Sequence, residues 1–197
     1  MKSVALGFRV HSGWAVAVVL CGPLNSPFVV DRRRIQLVKT FTYTYRQPYH
    51  TAEKMTGKDA AKFISSMRSE SARLAQSSLR SLQKDLIEQE YRITRCALLL
   101  ASGRTLPQLE RILASHALIH TADGELFRDA LRAACTHCRL PLEVVREKEL
   151  FEVASKTLGI TTAALKRRIA EFGKSFGRPW TQDEKFAALA AWLTLVS

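Results

Sequence analysis

His116 and His120 stand four residues apart in Ser115-His116-Ala117-Leu118-Ile119-His120. That spacing puts both imidazoles on one face of a helix or of a strand. Asp123 and Glu125 follow closely, and Arg128 lies one helical turn beyond Glu125. Two imidazoles and a carboxylate can ligate Zn²⁺ or Mn²⁺, or supply a base near neutral pH. His116, His120 and Glu125 are therefore candidate catalytic residues. The plainer expectation is a pair of histidines holding a helix–helix junction through backbone hydrogen bonds. A third imidazole, His50, sits in the rigid turn Arg46-Gln47-Pro48-Tyr49-His50. Were the fold to bring it to His116 and His120, a metal or acid–base site would result. A divalent metal enters only on that reading, and no cofactor is otherwise expected.

A second constellation is cationic and aromatic: Arg32-Arg33-Arg34, Lys39, Tyr43, Tyr45, Arg46 and Tyr49. Such a set can line a nucleic-acid groove, with arginines on phosphates and tyrosines stacked on bases at about 1–3 kcal/mol per stack. The alternative is that the tyrosines cover a sheet and the arginines solvate its edge.

Other chemistries are excluded by what is missing. Cys135-Thr136-His137-Cys138 is a lone CxxC following a helix, with no second ligand pair spaced for structural zinc. Cys21 and Cys96 lie in apolar stretches and read as buried thiols. No glycine-rich phosphate loop and no GxSxG elbow occurs.

The chain has 197 residues, 47% hydrophobic, with a net charge of +12 and a pI near 10.0. Residues 1–100 hold 16 Lys/Arg against 7 Asp/Glu, so most of the excess lies in the first half. A basic face of that size favours a polyanionic partner through counterion release. No run approaches the ~20 apolar residues that cross a bilayer. Residues 13–21 resemble a weak signal sequence, but they alternate like a strand and Leu20 precedes Cys21, so a cytoplasmic location and no membrane partner are expected.

These residues must be carried by elements that the pattern predicts. Strands are expected at 4–10 and 14–21, joined at His11-Ser12-Gly13, and at 28–38, with Thr40 to Tyr45 extending the third or lying against it. A helix over 58–91 carries the stripe Phe63, Met67, Leu74, Leu82 and Leu86. A helix of that length either projects or pairs with another. An interaction module that homodimerises through it is one functional alternative. A strand at 96–101, a helix capped by Thr105, a helix over 121–138 and a strand at 140–145 come next. Helices at 147–158, 162–172 and 182–196 follow, the first two closed by Gly159 and Gly173.

Three antiparallel strands, a helix, then strands alternating with helices is an order that resembles the ribonuclease H-like fold. Within that fold it resembles the RuvC-type Holliday-junction resolvases. Two motifs carry the resemblance: Leu6-Gly7-Phe8-Arg9-Val10-His11-Ser12-Gly13-Trp14-Ala15, and the alanine-rich closing helix Asp183-Glu184-Lys185-Phe186-Ala187-Ala188-Leu189-Ala190-Ala191-Trp192. The resemblance implies one α/β domain over residues 1–197, a five-stranded mixed sheet flanked by helices. It also implies an acidic site holding two Mg²⁺ ions. Arg9 stands at the first-strand acid, Ala101-Ser102-Gly103 lacks the expected glutamate, and Phe186 replaces an acid three residues after Asp183. Asp183 alone matches, which makes it the fourth catalytic candidate. It also lies in the first turn behind a capping box, Thr181-x-x-Glu184, where negative charge is favoured. One carboxylate cannot hold two hard cations, and a guanidinium repels them. The expectation is a nuclease-inactive protein that binds nucleic acid, with Arg9, Arg32, Arg33, Arg34 and Arg46 on phosphates. The competing expectation is a metal-dependent hydrolase rebuilt around the His/Glu set.

Overall fold

The central strands are those whose residues are apolar on both faces. β1 (Lys2–His11) and β2 (Trp14–Cys21) pair antiparallel with Leu6 opposite Val19, and nearly all their inner residues are buried. Their turn is closed at Gly13, whose φ of +85° suits glycine and strains other residues. β3 (Phe28–Gln36) pairs antiparallel with β2 and forms one edge of the sheet, so its arginines reach solvent. β4 (Tyr91–Leu100) and β5 (Leu142–Arg146) run parallel to β1, giving the order β3-β2-β1-β4-β5. The expected mixed sheet is present. This computed structural model describes residues 1–101, 103 and 105–195; Ser102, within the expected acid position at 101–103, lies outside them.

Alternation along β1 divides the molecule. Val4, Leu6, Phe8 and Val10 face one core, whereas Ala5 shares the second core with the closing helix. The first core is covered by α3 (Gly57–Glu88) and α5 (His116–His137), with α1 (Tyr43–Arg46), α2 (Pro48–Ala52) and α4 (Leu109–Leu113) around them. The second is covered by α6 (Leu150–Leu158), α7 (Thr162–Phe176) and α8 (Gln182–Thr194).

α3 does not project. Ala60, Ile64, Met67, Ser71, Ala75, Leu79, Leu82 and Leu86 are buried at three- and four-residue intervals against α5, β4 and β3. Its apolar stripe is a packing face inside the fold.

Four local expectations are corrected. Thr40 to Tyr45 is no strand: Tyr43–Arg46 form a helical turn, because Leu37 and Val38 are buried and the chain has by then turned off the sheet edge. The helix assigned to Thr105 begins only at Leu109, since Pro107 disfavours helical backbone in the residue before it. α5 starts at His116 rather than 121, behind an extended Ser115. α7 runs through Gly173, which serves a close approach instead of a stop. A Cβ there would overlap the Trp180 ring, whose Nε1 donates to the Ile169 carbonyl at 2.7 Å.

Gly7 has the tightest role. α8 crosses β1 so closely that a Cβ on Gly7 would overlap the Ala187 carbonyl and sit 2.7 Å from the Ala191 nitrogen. The alanines of α8 (Ala187, Ala188, Ala190 and Ala191) are all fully buried. Small residues on both partners let helix and strand meet at backbone distance.

Candidate functional site

Two clusters concentrate chemistry. The first lies where β1 leaves the sheet under the N-terminus of α8. Arg9 shares the face of Ala5 and Gly7, so its guanidinium emerges beside the first turn of α8. It donates to Glu147 twice, from Nε at 3.0 Å and from Nη2 at 2.6 Å, and pairs with Asp183 through Nη1. His11 Nε2 lies 2.9 Å from the same Asp183 oxygen. Partial burial works against the Arg9 charge, but the hydrogen bonds and charges of Glu147 and Asp183 outweigh it, leaving the group above its ordinary range. The expected capping box is also present. The Thr181 backbone N–H donates to Glu184 at 2.6 Å, and the Asp183 N–H donates to the Thr181 hydroxyl at 3.2 Å.

The charges continue past Glu147. Arg128 is mostly buried, donates to the Leu99 carbonyl at 3.4 Å and to Glu125 at 3.1 Å, and feels the charge of Glu147. Burial lowers its pKa from the usual arginine value, with Glu125 opposing that fall. Glu125 also accepts from Arg132 at 3.4 Å. The strand ends thus carry acids and guanidiniums in alternation. Such an array does not fit a pair of Mg²⁺ ions, which need anionic oxygens free to bind them. Here both Glu147 and Asp183 are taken by Arg9.

A stacked ladder leads away from this network. The His11 and Trp14 rings lie parallel, 4.4 Å apart with 12° between planes. The Arg34 guanidinium covers Trp14 at 4.2 Å and approaches Phe41 at 5.1 Å; that of Arg46 covers Phe41 at 4.5 Å. Arg46 Nε also donates to the Ser12 carbonyl at 3.3 Å. Among the described residues neither Arg34 nor Arg46 has a carboxylate partner. Arg32 and Arg33 are differently placed. Arg32 donates to backbone carbonyls of Gly177 and Pro179, while Arg33, on the opposite face, pairs with Asp31 and with Asp85 at 2.8 Å.

The second cluster is on the other core. α2 presents His50 to the first turns of α5, so the three histidines meet: one ligand nitrogen from each of His50, His116 and His120 lies within 4.8 Å of the others. The carboxylate that joins them is Asp123 rather than Glu125, which faces Arg128 and Arg132. On a helix, the residue three after His120 shares its face and the residue five after does not. Asp123 is buried; it accepts from the Tyr49 backbone N–H at 2.7 Å and pairs with His50 Nδ1 at 2.5 Å. Burial raises its pKa, while Tyr49 and His50 pull it down. The four catalytic candidates thus divide between the two clusters, His116 and His120 in the second, Asp183 and, through Arg128, Glu125 in the first.

No protein-family model matches this chain, and no curated protein matches it in sequence. Solved structures do match in fold. Thermus thermophilus RuvC in complex with Holliday junction substrate superimposes with a TM-score of 0.52 over 98% of this chain and 93% of that one, at 7% identity. A second Thermus thermophilus RuvC structure gives 0.49 over 100% and 94%, at 9% identity. A Ppx/GppA family member from Aquifex aeolicus gives 0.36 over 80% and 40%, at 10% identity. The fold is ribonuclease H-like, as in RuvC. No helix among the described residues is long and apolar enough to cross a membrane.

Proposed function

We propose that this chain is a ribonuclease H-like protein that binds nucleic acid and does not cut it. The carrying observation is the ladder His11, Trp14, Arg34, Phe41 and Arg46, which starts at the Arg9–Asp183 pair and holds two guanidiniums that have no carboxylate partner among the described residues. Planar cations and aromatic rings in register offer phosphate contacts and stacking platforms together. A groove lined by Lys174, Arg178, Trp180 and Lys185 adjoins it where Arg32 meets the 177–179 carbonyls, extending the cationic surface. The net charge of +12 supplies the long-range attraction.

The noncutting half rests on Arg9. Its guanidinium consumes the charge of Glu147 and Asp183, so Arg9 serves as an internal counter-ion and Arg33 does the same at Asp31 and Asp85. Phosphate contact falls to Arg34 and Arg46, with Arg32 beside them.

Fluorescence anisotropy with duplex, single-stranded and four-way-junction DNA at two salt concentrations tests the reading. The junction is included because the structurally similar RuvC is seen with one. Binding that weakens with salt and falls at least tenfold in an Arg34→Glu/Arg46→Glu variant is expected. Absence of binding at low salt would sink the proposal. Magnesium-dependent cleavage by the pure protein, lost in Asp183→Asn, would sink its second half.

A further inference from the structure

We propose that His50, His116 and His120 form a site for a divalent first-row transition ion, zinc foremost, with one coordination position open to solvent. The first support is a count of protons. An ionised Asp123 can only accept, so His50 gives it the Nδ1–H, and in that neutral tautomer Nε2 is left as an acceptor. The Nε2 atoms of His116 and His120 lie 3.1 Å apart, so at most one of them carries the proton between them. At least one lone pair of that pair is therefore free for a cation, and one ligand nitrogen from each of the three rings lies within 4.8 Å of the others.

Geometry agrees. Tetrahedral zinc with Zn–N bonds of about 2.0–2.1 Å sets neighbouring nitrogens roughly 3.3 Å apart. The observed ligand atoms, 3.1 Å for one pair and all within 4.8 Å, need only small side-chain adjustments. The three rings stand edge-on to one another, at 88°, 69° and 82°, as imidazoles arranged about a common centre do.

Asp123 supplies the outer support. Its second oxygen is fixed by the Tyr49 N–H, so carboxylate, His50 tautomer and ring orientation are locked together. His116 and His120 are exposed and the described residues contribute no fourth ligand, which leaves a position for water. Three neutral imidazoles suit zinc, copper and nickel better than magnesium or calcium. The N-terminus of α5 opposes a cation, but that effect amounts to about a two- to fivefold loss of affinity. This site is independent of the nucleic-acid reading.

Isothermal titration of the full chain, stripped with EDTA and titrated with Zn²⁺, tests it. One zinc per chain and a thermal midpoint that rises with zinc are expected. A His116→Ala/His120→Ala variant changes only exposed positions, and its affinity should fall at least 100-fold with circular dichroism unchanged. Should that variant fail to fold, His120→Gln alone serves, read by loss of the visible absorption of bound Co²⁺. Asp123→Asn should weaken binding about 10- to 100-fold. No saturable zinc binding to the wild-type chain, or equal affinity in the histidine variants, would overturn the site.

Discussion

Arg9 and Glu147, 138 residues apart in the chain, meet as a two-point ion pair: Nε to Oε2 at 3.0 Å and Nη2 to Oε1 at 2.6 Å. The parallel fork leaves Nη1 for Asp183, so one guanidinium bridges the turn after β5 and the first turn of α8. That one side chain thus ties two elements to β1.

Replacing Arg9 by alanine leaves two carboxylates facing each other. Exposed pairs are worth up to about 1 kcal/mol and breaking buried ones costs about 3–5. These partly exposed partners fall between, so Arg9→Ala should lose about 2 kcal/mol in urea denaturation. Glu147→Gln should lose less, because Asp183 still answers the cation.

Arg9→Asp inverts the charge and places three carboxylates together. That variant should be less stable than wild type in EDTA and should regain several degrees of thermal midpoint on adding millimolar Mg²⁺ or Mn²⁺. The wild-type midpoint should not respond to Mg²⁺. Equal insensitivity in both proteins would show that Arg9 is not what keeps such ions out.

Much of this arrangement is legible in the residues. β1 and β2 announce themselves by apolar runs around a glycine turn, α3 by its stripe, and α8 by its capping box. Glu147 is not legible, because it stands in a turn after an edge strand, with no periodicity linking it to Arg9. The pattern points to Glu125 instead of Asp123 for a definite reason. Beginning the helix at 121 removes His116 and His120 from it, and with them the three-residue spacing that selects Asp123. Thr40 to Tyr45 alternates over only six residues, too short a window to separate a strand from a turn of helix.

Gly7→Ala should be disproportionately harmful for one added methyl. The clash is with backbone, which cannot swing aside, so a loss of about 2–3 kcal/mol or failure to fold is expected. Gly57→Ala is the control. A Cβ at that position would have nothing within 4 Å, and the melting temperature should stay the same or rise slightly.

The thiols should be sluggish. The neighbouring Cys135 thiol and burial together raise the pKa of Cys96 well above the ordinary thiol value; burial also raises that of Cys138. In the folded protein only Cys138 should react with iodoacetamide, with a rate profile displaced to higher pH than that of a free thiol. Because the folded pKa values exceed the unfolded one, the unfolded chain loses these protons first. Stability should therefore be full below about pH 8.5 and decline as pH rises beyond it, measurable in urea at a series of pH values.

For DNA, the log–log salt slope should be shallower by about 2 in Arg34→Glu/Arg46→Glu than in wild type, at roughly 0.9 per lost phosphate contact. Trp14→Ala should weaken single-stranded binding about tenfold and leave the slope unchanged. A tryptophan variant that altered only the slope would contradict stacking.

The seating of α8 across Gly7 bears on the order of events during synthesis. β1 and β2 are translated well before the helix that roofs one of their faces. A nascent chain must shelter that apolar surface in the meantime, so chaperones that hold unfolded chains should aid its biogenesis.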